Sequence, residues 1–301
     1  MSPWLSIIIV THDSANTIGA CLQSILPQLR ADIELLVIDN ASGDQTANIV
    51  QKQFPQARLI RNDTNRGYGT ALNQGISLAQ AATILAANSD IRLDPDFLVQ
   101  LQKNIQNLPP DIGMIAPKII DEKGFIDSTG LDLTMLRRFF DRGRGLDARK
   151  TFLFPAGAWG ACGACAIYQK SMLEAIRCGQ EYFDEDFFLG VEDFDLAWRA
   201  QLLNYRAVYL PNLEATHRGG ISRTKNDHFR ALTFRNRYFL LLKNESAAGW
   251  FRFMLYAFFY DVPRLIFLWL TNPNTPEALR DLRRLTPRML EKRRMIRQKI
   301  S

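Results

Sequence analysis

The sequence predicts an α/β protein built on a mostly parallel sheet with helices on both faces, and three observations carry that expectation. Over the first hundred residues, apolar runs of strand length alternate with stretches of helical period. Each run ends at a polar or acidic residue, as in a sheet whose carboxyl edge binds ligands. A chain of 301 residues at 47% hydrophobic content can bury the core of one large domain with an appendage.

The elements follow in order. "LSIIIVT" is the first strand, with Asp13 just past it, and "ELLVID" is the second, closed by Asp39. "RLIRN" is the third, closed by Asn62, and "TILAAN" is the fourth, with Asp90 just beyond. Polar turns and helical periods between them give the rhythm of a parallel sheet. The helix after the third strand begins in "NRGYGTALNQG", whose glycines let a ligand approach the backbone. Leu72 stands where a G-x-G-x-x-G dinucleotide fingerprint needs its last glycine, so that fingerprint is absent. After Gly113 come hairpin-like pieces, "GMIAPKII" and "GFIDSTG", leading into an Arg-rich stretch, "RRFFDRGRG", that reads as an exposed loop of an insertion over the sheet. "GAWGACGACAIYQ" then gives a buried strand of small residues, with a helix from near Lys170.

Composition narrows the function classes. The start, "MSPWLSIIIVTHDS", lacks the basic region and cleavage site of a signal peptide, and its apolar run is too short for a membrane span, so a cytoplasmic chain is expected. Four irregularly spaced cysteines do not make a disulfide framework. Cys162 and Cys165 form a C-x-x-C, but a structural zinc needs two more ligands at suitable spacing and only Cys178 follows nearby. Small residues in a strand under a pocket are the better reading.

The net charge of +6 is uneven, because residues 280–301 hold nine Lys/Arg against two acids while the rest of the chain is close to neutral. Before that tail runs "WFRFMLYAFFYDVPRLIFLWL", where Arg252, Asp261, Pro263 and Arg264 argue against a clean transmembrane helix. Two readings stay open: aromatic interfacial helices with snorkelling arginines on an anionic membrane, or an amphipathic helical pair packed on the main domain. Nucleic acid is not an expected partner.

"FDEDFFLGVEDFDLAWRA", residues 183–200, sets six carboxylates among four phenylalanines. Asp193 and Asp195 suit the cap and first turn of the helix that follows. Equally, Phe183, Phe187, Phe188, Phe194 and Trp198 would shield neighbouring acids from water, and a partly desolvated carboxylate is a poised proton acceptor.

Taken in order, "SIIIVTHDSANTIGACLQSI", "VIDNASGDQT", "NRGYGTALNQGI", "ANSDIRLDPDFL", "GACAIYQKSML", the acidic stretch, "HRGGIS" and "RNRYFLLLKN" give the sequence a resemblance to the family 2 glycosyltransferases. It is similar in particular to bacterial rhamnosyltransferase-like members that build surface polysaccharides. The resemblance implies a Rossmann-like GT-A fold with a nucleotide-binding half (1–112) and an acceptor half (113–245). A basic, amphipathic, membrane-associated helical region (246–301) would follow. It implies inverting hexosyl transfer from a nucleoside-diphosphate sugar to a hydroxyl of a saccharide or lipid-linked saccharide. The enzyme would work at the inner face of the cell membrane and use Mg²⁺ or Mn²⁺; homo-oligomerisation is left open.

On the matching positions, Thr11, Asp13 and Asp39 are expected to meet the nucleotide, and Arg66 the diphosphate. Asn88-Ser89-Asp90 stands where many members have Asp-x-Asp. Asp90 is therefore expected to be the main metal carboxylate, Asn88 to meet the ribose or metal, and His217 to be a further ligand. Glu192 and Asp193 match the family's acidic pair, with Asp193 as general base. The remaining acids are expected to cap the helix or hold the acceptor sugar. Two other classes stay in view. A sugar nucleotidyltransferase would want a glycine-rich, basic phosphate loop that "THDSANT" lacks; a non-catalytic scaffold is opposed by the presence of Asp90, Asp193 and His217.

Overall fold

The computed structural model describes residues 2–135, 137–219 and 227–300. Gly220, Ile221 and Ser222 of the "HRGGIS" segment lie outside the described residues. The N-terminal half alternates as the pattern requires: β1 (Leu5–Thr11), α1 (Ile18–Ile25), β2 (Ile33–Asp39), α2 (Thr46–Gln53), β3 (Arg58–Arg61), α3 (Tyr68–Leu78) and β4 (Thr83–Asn88). Every residue of β1 is buried, which is why its run is continuously apolar rather than alternating. β1 lies parallel between β2 and β4, with Thr11 opposite Asp39 and Val10 opposite Asn88. Three predicted site residues therefore reach one sheet edge together.

The second half continues with β5 (Ile91–Leu93), α4 (Phe97–Ile105), β6 (Ile112–Ile120), β7 (Ile126–Ser128), β8 (Leu131–Leu133) and β9 (Phe139–Asp141). Then come β10 (Ala156–Ala158), β11 (Cys165–Gln169), α5 (Lys170–Ile176), α6 (Glu192–Leu202) and β12 (Arg206–His217). The strand order is β10-β12-β6-β11-β4-β1-β2-β3, with β5 added to β12 and β7 to β6. The sheet is mixed rather than mostly parallel, since β11 runs antiparallel to both β4 and β6, as do β5 and β10 to β12. Between β6 and β11 no helix carries the chain across a face, so β11 returns in the opposite direction, a connection only antiparallel neighbours allow. The Arg-rich stretch is likewise not simply a loop. Its Phe139–Asp141 pairs with β8, and Phe139 turns inward to pack 5.2 Å from the Phe194 ring.

Three helices end the chain: α7 (Asp227–Asn244), α8 (Ala247–Thr271) and α9 (Thr275–Ile300). α9 packs along α7, and its cations turn inward. Arg288 pairs with Glu181 and Asp186; Lys292 pairs with Glu181, Asp184 and Asp186. Arg293 donates to Leu242 O, and Arg297 to Asn244 O and Glu245 O. For α9 this matches the reading of an amphipathic helix packed on the main domain, with its cations paired inward.

α8 is different. Asp261 faces α7 and pairs with Arg237 at 3.2 Å, while Phe251, Phe258, Phe259, Phe267, Trp269 and Leu270 are all more than half exposed. Among the described residues no single helix is long and apolar enough to cross a membrane. The halves of α8, Ala247–Met254 and Tyr256–Thr271, bent by 59°, meet that length and composition only together.

Candidate active site

At the carboxyl edge of the sheet, Thr11 and Asp39 are buried in register. Asp39 Oδ1 accepts from Ser42 N (3.0 Å), and Oδ2 lies 3.4 Å from Arg61 Nε without the alignment of a hydrogen bond. Thr11 Oγ1 has no hydrogen-bond partner among the described residues. Buried polar atoms are normally satisfied, so two left open at a sheet edge are what a polar ligand would complete. Asp13 is exposed, in left-handed backbone at φ 48°. Its Oδ1 accepts from Gly43 N (2.8 Å), tying together the loops after β1 and β2. Arg66 is exposed, and its backbone N–H donates to Asn40 Oδ1 (3.2 Å); its side chain does not line the cleft described below.

Asp90 follows β4 in the turn to β5, and β5 pairs with the end of β12, with Ile91 opposite His217. This pairing sets His217 Nε2 3.3 Å from Asp90 Oδ1, while Nδ1 meets Asp127 Oδ2 at 2.7 Å. Burial alone would depress the His217 pKa, but the two carboxylates outweigh it and carry it up to about 9. Burial works to raise the Asp127 pKa, and its bonds to His217 and Arg144 instead hold it well below the usual carboxylate range. A carboxylate on one imidazole nitrogen orients the other as a metal ligand. A carbon added to Gly219 would fall 2.2 Å from His217 Nε2, so glycine is what leaves that nitrogen room. Asp90 and His217 fit a divalent ion that draws its remaining oxygens from a substrate. Among the described residues no group of three His, Cys, Asp or Glu side chains forms a complete cage.

α6 begins at Glu192, after Phe188 (φ 62°) and Val191 (φ 74°), conformations that cost free energy in non-glycine residues and gather at functional loops. Glu192 is buried and Asp193 half-buried. Asp193 Oδ2 accepts from Gly163 N and Oδ1 from Phe194 N, both at 2.9 Å. The next residue, Ala164, accepts from Asn88 N (3.0 Å), so the end of β4 and Asp193 are bridged through one loop. A cleft of about 1220 Å³ runs from Tyr68 and Asn88 past Asp193 to Tyr260 and Arg264 of α8. Tyr68 OH donates to Gly163 O (2.8 Å), and Tyr68 N donates to Phe188 O (2.7 Å). Gly67, at φ 85°, makes that approach possible, since a Cβ there would lie 2.6 Å from Phe188 O. Burial pushes the Cys165 thiol up to about 12, making it a core residue rather than a reactive thiolate.

The other acids have a role the sequence did not disclose. Asp195 does not cap α6, whose N-cap, Val191, makes no side-chain cap bond. Instead Asp195 accepts from Arg199 Nε (2.9 Å), Lys243 Nζ (2.9 Å) and Asn244 Nδ2 (2.8 Å). Asp184 is bonded to Lys243 and Lys292. Burial would raise both carboxyls; the cations instead hold Asp184 and Asp195 below the usual range. From α7, Arg235 donates to the carbonyls of Asp186 and Phe187, and Asn236 to those of Phe187, Leu189 and Gly190. The strained loop ahead of Asp193 is thereby held from behind. Polar residues recurring eight positions apart on α7, Arg235 with Lys243 and Asn236 with Asn244, were the available signal. Sequence reasoning did not place Tyr68, Asp127, Arg138 or Arg264 at the site.

The profile of the family described as "Glycosyl transferase family 2" matches residues 6–177, more than half of the chain. The sequence is 24% identical over 280 residues to the N-acetylglucosaminyl-diphospho-decaprenol L-rhamnosyltransferase of Mycobacterium tuberculosis, covering 84% of this chain and 88% of that one. The fold is similar to that of S. aureus TarS 1-349 in complex with UDP-GlcNAc, with a TM-score of 0.61 and 18% identity over 99% of this chain and 91% of that one. It is similar also to mannosyltransferase PcManGT from Pyrobaculum calidifontis in complex with GDP-Man and Mn2+, at a TM-score of 0.56 and 17% identity over 98% and 74%. These likenesses show a GT-A fold. With the profile spanning β1 through α5, the chain belongs to glycosyl transferase family 2.

Proposed function

We propose that the protein is an inverting, metal-dependent transferase. It moves a sugar, with rhamnose the first donor to try, from a nucleoside diphosphate onto a hydroxyl of a lipid-linked saccharide during surface-polysaccharide synthesis. The carrying observation is Asp193, fixed by Gly163 N inside a cleft that also reaches Asn88 at the donor edge. The mycobacterial relative, by its name, acts on a saccharide joined through a diphosphate to a polyprenol, which supports the acceptor class.

Thr11 and Asp39 take the nucleoside, whose donor-rich edge suits a carboxylate. Asp90 and His217 would hold Mg²⁺ or Mn²⁺, which when bound offsets the charge of the departing diphosphate. The acceptor hydroxyl enters the cleft and gives its proton to Asp193. As its oxygen bonds to the anomeric carbon, the bond from that carbon to the diphosphate oxygen breaks, and the electron pair leaves with the nucleoside diphosphate. Attack from the face opposite the leaving group inverts the anomeric centre. The protein works at the inner face of the membrane, with α8 lying on the bilayer.

A screen of nucleotide sugars for metal-dependent release of nucleoside diphosphate tests this reading. One responding donor supports the class and names the base and sugar; no release from any donor with a lipid-linked acceptor present refutes it in favour of a scaffold.

A further inference from the structure

Among the described residues, the cleft holding Asp193 is lined by four arginines that differ in their commitments. Arg144 pairs with Asp127 and Asp141, and Arg237 pairs with Asp261 and donates to Arg137 O. Arg138 and Arg264 have no carboxylate partner among the described residues, yet both face the same cleft. Arg138 is exposed on the β8–β9 flap, and Arg264 is half-buried on α8 with its guanidinium 5.7 Å over the Phe234 ring. Stacking on a ring fixes the plane of a guanidinium and leaves its fork of N–H donors open.

A neutral saccharide would not call for two uncompensated cations beside the catalytic carboxylate. An anion would, and guanidinium forks match phosphate oxygens bidentately. The source of that phosphate is written on α8 itself. Tyr260 and Arg264, one turn apart, line the cleft, while Phe258, Phe259, Phe267 and Leu270 of the same helix are exposed. An aromatic-rich face with a basic residue at its border is the composition of a helix lying in a bilayer interface. A ligand with phosphates in the cleft and its tail along that face is a lipid.

Resting on the reading that this cleft receives the acceptor, we propose that Arg138 and Arg264 form a phosphate-reading site for the diphosphate of a membrane-borne, lipid-linked acceptor. The site sets which acceptors reach Asp193, by requiring two phosphates at the bilayer surface. It is separate from the donor's diphosphate site at Asp90 and His217.

The test uses the full chain and farnesyl diphosphate in detergent micelles, with chelator present so that the metal-dependent donor site is not engaged. Wild type should bind it roughly tenfold or more tighter than farnesyl monophosphate or inorganic pyrophosphate. Arg138→Gln with Arg264→Gln should weaken that binding by about 10- to 100-fold with unchanged thermal unfolding. Arg138→Lys with Arg264→Lys, which keeps the charge and loses the fork, should fall between. Equal binding by the Gln double variant overturns the proposal. So does inorganic pyrophosphate binding as tightly as farnesyl diphosphate, which would make the ligand soluble. An equal loss of the double variant from phosphatidylglycerol vesicles without diphosphate lipid overturns it too, by reducing the arginines to general membrane contacts. Failure of the transferase reading looks different: no donor is turned over, while arginine-dependent binding of farnesyl diphosphate persists.

Discussion

Replacing Lys292 with Met tests whether α9 holds the loop ahead of Asp193. The Lys292 ammonium is 7% exposed and lies 2.5 Å from Asp184, 2.7 Å from Glu181 and 2.8 Å from Asp186. Removing one partner from a buried ion pair costs about 3–5 kcal/mol, because the other charge stays buried and uncompensated. Here Asp184 keeps Lys243, while Glu181 and Asp186 keep Arg288 at 3.0 Å each, so the lower end, about 3 kcal/mol, applies. At about 2–3 °C per kcal/mol for a chain of this size, Tm should fall by about 6–9 °C at neutral pH. The gap should also depend on pH in a definite direction, with the change falling below the unfolded carboxylate value, so the acid end of the scan is carried to about pH 2. The Asp184 pKa is held below its unfolded value of about 3.9, so its contribution is present above that value and lost as pH falls through the folded one. Lys292 is raised above its unfolded value of about 10.4, so its contribution persists through neutrality and is lost only as pH rises past the folded value. Thermal unfolding by circular dichroism from about pH 2 to pH 9 should show a constant gap from neutrality down to about pH 4 that narrows below it. A gap under about 2 °C at pH 7, or one unchanged at the acid end, would refute the reasoning.

Asp193→Asn should keep the fold and donor binding but lower turnover by about 10²- to 10⁴-fold in a nucleoside-diphosphate release assay. A loss under about fivefold, with Glu192→Gln abolishing activity, would transfer the role to Glu192. Chelator should abolish turnover, and Gly219→Ala, crowding His217 Nε2, should raise the Mn²⁺ concentration for half-maximal activity by about tenfold; full activity in excess chelator sinks the metal. Phe259→Glu with Leu270→Glu should reduce flotation with anionic liposomes at unchanged Tm, and undiminished flotation would show that α8 is not the attachment. Truncation near Asn244 cannot serve that purpose, because it would strip Lys292 from the acids it neutralises.

The N-terminal half was legible because its central strands are buried on both faces: β1, β2 and β4 appear as apolar runs, and shared direction aligns their polar ends at Thr11, Asp39 and Asn88. The directions of β10 and β11 were not, since a three-residue strand such as β10 has no period to read and its pairing is a tertiary outcome. Asp90 and His217 come together only through the pairing of β5 with β12, which family resemblance supplied and residue spacing could not. Asp127 lies in the hairpin-like "GFIDSTG", where nothing in the spacing marks it as a partner of His217. The least legible feature was the fate of charge. Lys292 lies in a basic stretch and Lys243 near the end of a helix, and local spacing does not pair either with the carboxylates of Asp184 and Asp195 that meet them in the interior.

On the reading that α8 lies on the bilayer, one helix serving as both cleft wall and membrane face fixes how high the chemistry stands above the lipid. An α-helix with its side chains is about 10–12 Å across, and that thickness is the upper limit on the height of the Tyr260 and Arg264 side of the cleft above the apolar face. Such a spacing acts as a ruler. The first sugars next to a lipid anchor come level with Asp193, whereas the free end of a long glycan is carried past it into solvent. On that reading the protein would start chains close to their anchor and hand them on, rather than extend them far from the membrane.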